Sequence, residues 1–170
     1  MMLIYDIQLE QVKSIKNNIN ELSELLLQVV EDGASIGFLP GMQQEDANIY
    51  WRNVISPEVY LFVAKIENEI AGTVQLHLCT KQNGNHRVEI AKLMTHPKHR
   101  RKGIGRCLMN FAEERARKEG KTLIVLDTRE GDPSNLLYSS LNYYEAGKIP
   151  FYAKSSNGEL ESTVFYYKTI

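Results

Sequence analysis

Cysteine is scarce in this chain: Cys79 and Cys107 are the only two in 170 residues. Two thiols cannot build a disulfide framework or a thiolate metal site, and they fit a reducing compartment, the cytoplasm. No uncharged apolar run approaches the roughly 18–20 residues that a bilayer demands. The opening residues, MMLIYDIQLE, carry acids early and no basic lead-in, so neither a membrane anchor nor an export signal is expected. An excess of one charge is missing too. Lys plus Arg number 20 against 21 Asp plus Glu, a net charge of −1, which argues against nucleic-acid binding through a broad basic surface. No repeat and no Pro/Gly/Ser-rich linker divides the sequence, so residues 1–170 read as a single domain. Hydrophobic residues at 43% and charged residues at 24% are ordinary for a globular protein and exclude disorder of the whole chain.

What is present has a readable order. Residues 2–9 alternate and predict a first strand. From Val12, the apolar positions Ile15, Ile19, Leu22, Leu25, Leu26, Val29 and Val30 recur at threes and fours. They predict one long helix, or two broken near Asn17–Asn20, stopped by Gly33. Residues 34–44, with Gly37, Pro40 and Gly41, read as a shaped loop, and 46–54 as a helix. Residues 60–66 and 70–78 predict an antiparallel hairpin, and 87–95 a further strand. Ile104, Leu108, Phe111, Ala112 and Arg115 mark a helix that stops at Gly120. The continuous apolar run 122–126 predicts a buried central strand. Residues 134–141 read as a helix and 163–167 as the last strand. This order predicts an α/β (α+β) fold, a mixed central sheet of six to seven strands with helices on both faces.

The stretch 89–106, EIAKLMTHPKHRRKGIGR, carries the chemistry. A strand ends at Thr95 and a helix opens near Gly103. Between them lies a short turn with Lys98, Arg100, Arg101 and Lys102, then Gly103-Ile104-Gly105. The first N–H groups of a helix lack intrahelical partners, and the macrodipole places roughly half a positive charge there. Glycine lets an anion come close to the backbone, and neighbouring cations complete a cradle suited to a pyrophosphate. A Walker A loop is absent. A dinucleotide fingerprint fails because Leu108 stands where its last glycine belongs. What remains is R-x-x-G-x-G, from Arg100 through Gly105, after a strand ending in L-M-T-H-P. The plainer alternative for Arg100, Arg101 and Lys102 is a solvated basic turn or part of a nucleic-acid patch. The amphipathic helix opened by Gly-x-Gly favours the cradle.

On these residues, the run from Leu93 to Arg106 resembles motif A of the GNAT superfamily of N-acetyltransferases: a hydrophobic strand, Pro, then [QR]-x-x-G-x-[GA]. The strings GASIGFLP (33–40), EIAKLM (89–94), PKHRRKGIGR (97–106) and LDT (126–128) are similar to the tabtoxin-resistance branch of small-molecule acetyltransferases. The resemblance implies the GNAT fold, with a splayed central strand pair, and acetyl-CoA as co-substrate. It implies that backbone groups of Leu93, Met94 and Thr95 pair with the pantetheine arm. Arg101, Lys102, Gly103, Ile104, Gly105 and Arg106 would hold the diphosphate, with Arg100 nearby, and Ser134, Asn135 and Tyr138 would face the cofactor. One departure stands out: Asn142-Tyr143-Tyr144 replaces the family's usual G-[FY] after that helix.

The implied reaction moves an acetyl group from a thioester to an amine. An alkylamine with a pKa near 10.4 is an ammonium at neutral pH, and freeing its lone pair costs about 4.6 kcal/mol. In the tabtoxin-resistance branch, acids matching Glu89 and Asp127 hold a water that relays this proton. A carboxylate of ordinary pKa near 4 is a weak base, so relay and desolvation of the amine act together. Tyr138 resembles the GNAT tyrosine that faces the CoA sulfur and can protonate the departing thiolate. Plainer roles exist for each: Glu89 as a solvent-facing strand residue or a partner of Arg87 or Lys92, Asp127 as a strand-end cap, Tyr138 as a core aromatic. Cys107 falls in the helix stripe. His77, His86, His96 and His99 show no metal-ligand spacing, so no metal is expected. Phe38, Tyr50, Trp51, Phe151 and Tyr152 could line an acceptor pocket. The expected acceptor is a small-molecule amine, amino-acid-like or of an antibiotic or toxin, taken by a monomer or homodimer. A protein or peptide N-acetyltransferase and a non-catalytic acyl-CoA sensor are the competing readings on the same fold.

Overall fold

Seven consecutive positions, Ile70 to Leu76, are buried in one strand, which requires cover on both faces of the sheet. The computed structural model describes residues 6–170 and supplies that cover. Its elements run β1 (Gln8–Val12), α1 (Ile19–Glu31), α2 (Gln44–Arg52), β2 (Val59–Ile66), β3 (Glu69–Leu78), β4 (Arg87–Thr95), α3 (Ile104–Lys118), β5 (Leu123–Arg129), α4 (Pro133–Ser140), β6 (Tyr144–Lys154) and β7 (Leu160–Thr169). The seven strands form one mixed sheet in the order β1-β2-β3-β4-β5-β7-β6. Leu22, Leu25, Leu26 and Trp51 of α1 and α2 pack on Leu61, Val63 and Met94 on one face. Ile104, Leu108, Met109 and Ala112 of α3 pack on Phe62, Val74, Leu76 and Val88 on the other.

Several boundaries differ from the sequence reading. The strand expected at 2–9 is found as β1, and residues 2–5 of that expectation lie outside the described residues. Val12 belongs to β1, and the helix begins at Ile19, at the Asn17–Asn20 break, because residues 13–18 offer Ile15 alone and no apolar stripe. Strand β6 was not expected. Its burial pattern is exposed at nearly every position, so it shows no alternation, and Gly147 and Pro150 interrupt it.

The feature that builds the site is the junction of β4 and β5, the one parallel pair in the sheet. It is paired only over Arg87–Glu89 against Leu123–Val125, and beyond Val125 the strands part. The register of β4 against β3 also slips between Thr73 and Gln75. That bulge centres on Lys92, which takes a left-handed φ of 55°. Close packing holds the far end of β4 in place. A Cβ on Gly72 would lie 2.7 Å from Met94 O and 2.8 Å from Ile104 Cγ2. Gly72→Ala is therefore expected to lower stability by about 2 kcal/mol, read as a shifted denaturation midpoint, because α3 must move off the sheet.

Candidate active site

The path from β4 into α3 is set by backbone geometry. The His96 N–H donates to Ala71 O at 2.8 Å and closes the strand end on β3. Pro97–His99 makes a single 3-10 turn. Arg101 and Gly103 then take left-handed φ values of 62° and 81°, and Ile104 opens the helix. The first helical bond runs from Cys107 N to Gly103 O, 3.0 Å. The N–H groups of Gly103, Ile104, Gly105 and Arg106 find no acceptor among the described residues. These donors, at the positive end of a 15-residue helix, form a seat for an anion. Gly103 leaves the approach open, since a Cβ there would meet nothing within 4 Å. Gly105 lets the first turn sit against its neighbours, with Leu137 Cδ2 3.2 Å from where a Cβ would be. Around the seat, Arg101 is exposed, Lys102 Nζ stands 3.1 Å from His99 Nδ1, and Arg106 donates to Ser140 Oγ at 2.7 Å. Arg100 is ion-paired with Asp32, at the C-terminus of α1.

The gap between β4 and β5 opens into a cavity of about 450 Å³. Val88 and Ile90 of β4, with Ile124 and Leu126 of β5, face α3. Strand alternation therefore turns Glu89 and Asp127 to the opposite side, where both line the cavity. Tyr138 reaches it from α4, Lys92 from the β4 bulge and His77 from β3, across from Glu89 in the register. Burial pushes the carboxyls of Glu89 and Asp127 above the usual range. Asp127 adds to the push on Glu89, and Lys92 pulls both back. Lys92 itself is lowered by burial and held up by Asp127 and Glu89. His77 is lowered by burial and then by Lys92, which keeps it neutral at neutral pH. The Tyr138 phenol is raised, by burial first and Asp127 next, so it stays protonated.

The loop between α1 and α2 roofs this cavity, and the sheet side holds it with three cations. Arg100 pairs with the Asp32 carboxylate, Arg129 Nη2 donates to Gly33 O at 3.1 Å, and Lys92 Nζ donates to Ile36 O. At the loop's far end the Gly41 N–H donates to Glu31 Oε1, 2.8 Å. Lys92 also stands 5.4 Å from the centre of the Phe38 ring. A non-glycine residue in the left-handed region costs on the order of 1 kcal/mol or more, and these contacts offset it. Arg129 reaches further, to Asp132, to Ser155 Oγ at 3.0 Å and to Glu161, and so ties the turn after β5 to the β6–β7 hairpin.

The sequence-predicted residues thus fall into two places. Glu89, Asp127, Tyr138, Leu93 and Ser134 share the cavity, while Arg101 through Arg106 form the anion seat. Met94 is buried under α1 and α2. Ser134 Oγ is 2.6 Å from Thr128 Oγ1. The Asn135 amide is fully occupied by Arg129 O and Asp132 O, both at 2.9 Å, and by the Tyr166 hydroxyl at 2.7 Å. Of the aromatics expected in the pocket, Tyr152 lines it, Trp51 is wholly buried in the core, and Phe151 is 74% exposed. Lys92 entered the sequence reading only as a possible partner of Glu89, and His77 only as a histidine without metal-ligand spacing, while Arg129 escaped it. A lysine between Ala91 and Leu93 was the available signal for a further role of the first. His77 alternates with Gln75, whose amide Oε1 lies 2.9 Å from His77 Nε2 and whose Nε2 donates to Tyr50 OH at 2.8 Å.

Comparison with known proteins agrees with this fold. The model of the acetyltransferase (GNAT) family matches residues 21–143. An uncharacterized N-acetyltransferase from the hisH–hisA intergenic region of Azospirillum brasilense is 29% identical over 129 residues, covering 74% of this chain and 77% of that protein. An N-acetyltransferase from Staphylococcus aureus superposes with a TM-score of 0.82 at 13% identity, over 96% of this chain and 98% of that one. The Salmonella typhimurium protein yncA, solved with acetyl-CoA, superposes with a TM-score of 0.80 at 17% identity, over 96% and 94% of the two chains.

Proposed function

The chain belongs to the acetyltransferase (GNAT) family, and on that premise we propose that it acetylates the primary amine of a small molecule. It is an acetyl-CoA-dependent acyltransferase. The observation that supports a small acceptor is the roofed cavity itself: about 450 Å³, with three carboxylates, Glu89, Asp127 and Asp132, and two cations, Lys92 and Arg129, in its lining. That volume suits a metabolite rather than a folded protein surface, and the excess of acid suits a cationic amine. An amino-acid-like molecule or an amine of an antibiotic or toxin is the class we favour.

The residues present fit acetyl-CoA. Four free amides and a helix terminus sit where a diphosphate needs donors, with no side chain on Gly103 to block it. The unpaired edge of β4 over Leu93, Met94 and Thr95 offers backbone groups to an extended arm. Ser134 and Asn135 contribute by fixing the β5–α4 turn. When bound, acetyl-CoA supplies the acetyl group as an activated thioester. Glu89 and Asp127 accept the proton that the ammonium gives up, directly or through a water. Tyr138 holds a proton at Oη for the departing sulfur.

Arg101→Ala is expected to weaken acetyl-CoA binding about tenfold at low salt, and less at high salt, with the amine KM nearly unchanged. Calorimetry at two salt concentrations checks this. The function is tested by thiol release from acetyl-CoA with a panel of amino acids, polyamines, amine-bearing antibiotics and N-terminal peptides, with the product identified by mass. Acetylation of a small amine supports the proposal. Turnover on peptides alone makes the chain a peptide N-acetyltransferase, and tight binding without turnover makes it a sensor.

A further inference from the structure

Among the cations around the cavity, Lys92 reaches the middle of its roof, at Ile36, whereas Arg129 and Arg100 reach only the roof's first turn. It sits at the bulge of β4, with a left-handed φ of 55°. The register slip from Thr73 and Gln75 to Met94 and Ala91 turns its side chain out of the strand's alternation. Its ammonium donates to the Ile36 carbonyl and lies over the Phe38 ring. Phe38 in turn packs edge-on against Tyr50 with ring centres 5.0 Å apart, which continues the anchor into α2. The glycine in the roof is shaped around the same group. A Cβ on Gly37 would lie 2.9 Å from Lys92 Nζ, and Gly37 has a φ of 92°.

We propose that Lys92 is a positioning residue for the acceptor: from the β4 bulge, its ammonium pins the 33–40 loop through the Ile36 carbonyl, as a roof over Glu89 and Asp127. The proposal rests on the acetyltransferase reading and names a residue that sets its acceptor side. Two consequences follow. The roof loses an anchor when Lys92 is neutral, since Arg100 and Arg129 hold only its first turn, at Asp32 and Gly33. The carboxylates also lose the cation that favours their ionised form. The charged or titratable groups that face Lys92 are Glu89 on its own strand, His77 on β3 and Asp127 on β5, with Tyr138 of α4 and Arg129 and Asp132 lining the same cavity. Of these groups, Lys92 is the cation that acts on both Glu89 and Asp127.

The test compares Lys92→Met, Lys92→Arg and Gly37→Ala with the unchanged protein. Two readouts need no amine: carboxyl titration of Glu89 and Asp127 by carbon NMR, and amide exchange of residues 34–38. In Lys92→Met both carboxyl midpoints should move to higher pH, and loop exchange should quicken about tenfold. With the most active amine of the panel, its KM should rise about tenfold or more, the acid limb of kcat/KM should move to higher pH, and acetyl-CoA affinity should stay unchanged. Lys92→Arg should recover most of each effect. Gly37→Ala should loosen the roof and raise KM while moving the carboxyl midpoints less than Lys92→Met does, because it displaces the ammonium without removing its charge. Unaltered loop exchange and carboxyl midpoints in Lys92→Met overturn the proposal. Should no amine be acetylated by the unchanged protein, the functional reading fails while these two measurements still decide the role of Lys92.

Discussion

With Glu89→Gln and Asp127→Asn combined, kcat/KM for the amine should fall about a thousandfold at neutral pH, while acetyl-CoA affinity stays close to that of the unchanged protein. Both side chains keep their shape in this variant and lose their negative charge together with the ability to take a proton. Each single change should cost less, because the remaining carboxylate still faces the same cavity. The pH profile carries the sign. A carboxylate acts as base only when ionised, and burial raises both groups above the ordinary carboxylate value. Activity is therefore lost as pH falls through these raised values, and the acid limb lies at higher pH than an exposed carboxylate would give. Initial rates of thiol release across about pH 4.5–9, with calorimetry for acetyl-CoA, measure both parts. An undiminished rate in the double variant would leave the two acids a structural role only.

Tyr138→Phe should reduce kcat about a hundredfold and leave acetyl-CoA affinity intact. The ring is 5% exposed and packs against Tyr143 and Tyr166, at centre distances of 6.0 and 5.8 Å. Phenylalanine keeps those contacts, so the loss should appear in the rate and hardly in the thermal midpoint. Because burial and Asp127 raise the phenol, Tyr138 does not ionise in the range where the enzyme works, and any alkaline limb belongs to another group. Single-turnover rates at saturating amine and acetyl-CoA report the step directly. An unaltered kcat would remove the acid role and leave Tyr138 as a core aromatic.

Much of this arrangement was legible in the chain because local chemistry fixes it. The 87–95 strand agrees residue for residue with β4, since Val88 and Ile90 alternate with Glu89 and the turn at His96–Pro97 ends it. The free amides that open α3 follow from Gly-x-Gly at the start of an amphipathic helix, with left-handed φ values at Arg101 and Gly103. The contact of Lys92 with the roof was hidden for the opposite reason, although its pairing with Glu89 was among the expectations. A bulge depends on how β4 meets β3, and strand periodicity assigns Lys92 to the wrong side without that register. Asn135 could be placed near the site but not given all its partners, because the Tyr166 hydroxyl comes from a distant position on β7. Trp51 looked like a pocket aromatic beside the loop, yet α2 turns it into the core with Ala47.

Strand β6 closes the sheet on one side, and its irregularity has a bearing on how the molecule behaves at high concentration. Ile149 pairs with Thr163 and Ala153 with Glu161, so four steps on β6 match two on β7. Pro150 brings no N–H to that border, Phe151 has a φ of 54°, and Lys148 and Lys154 flank the kink. A flat, regular border would invite a neighbouring chain to add itself rung by rung; this one is bent, charged and short of donors at its middle. The aromatic and aliphatic side chains displayed there are thus kept from serving as a template for fibrous or open-ended stacking.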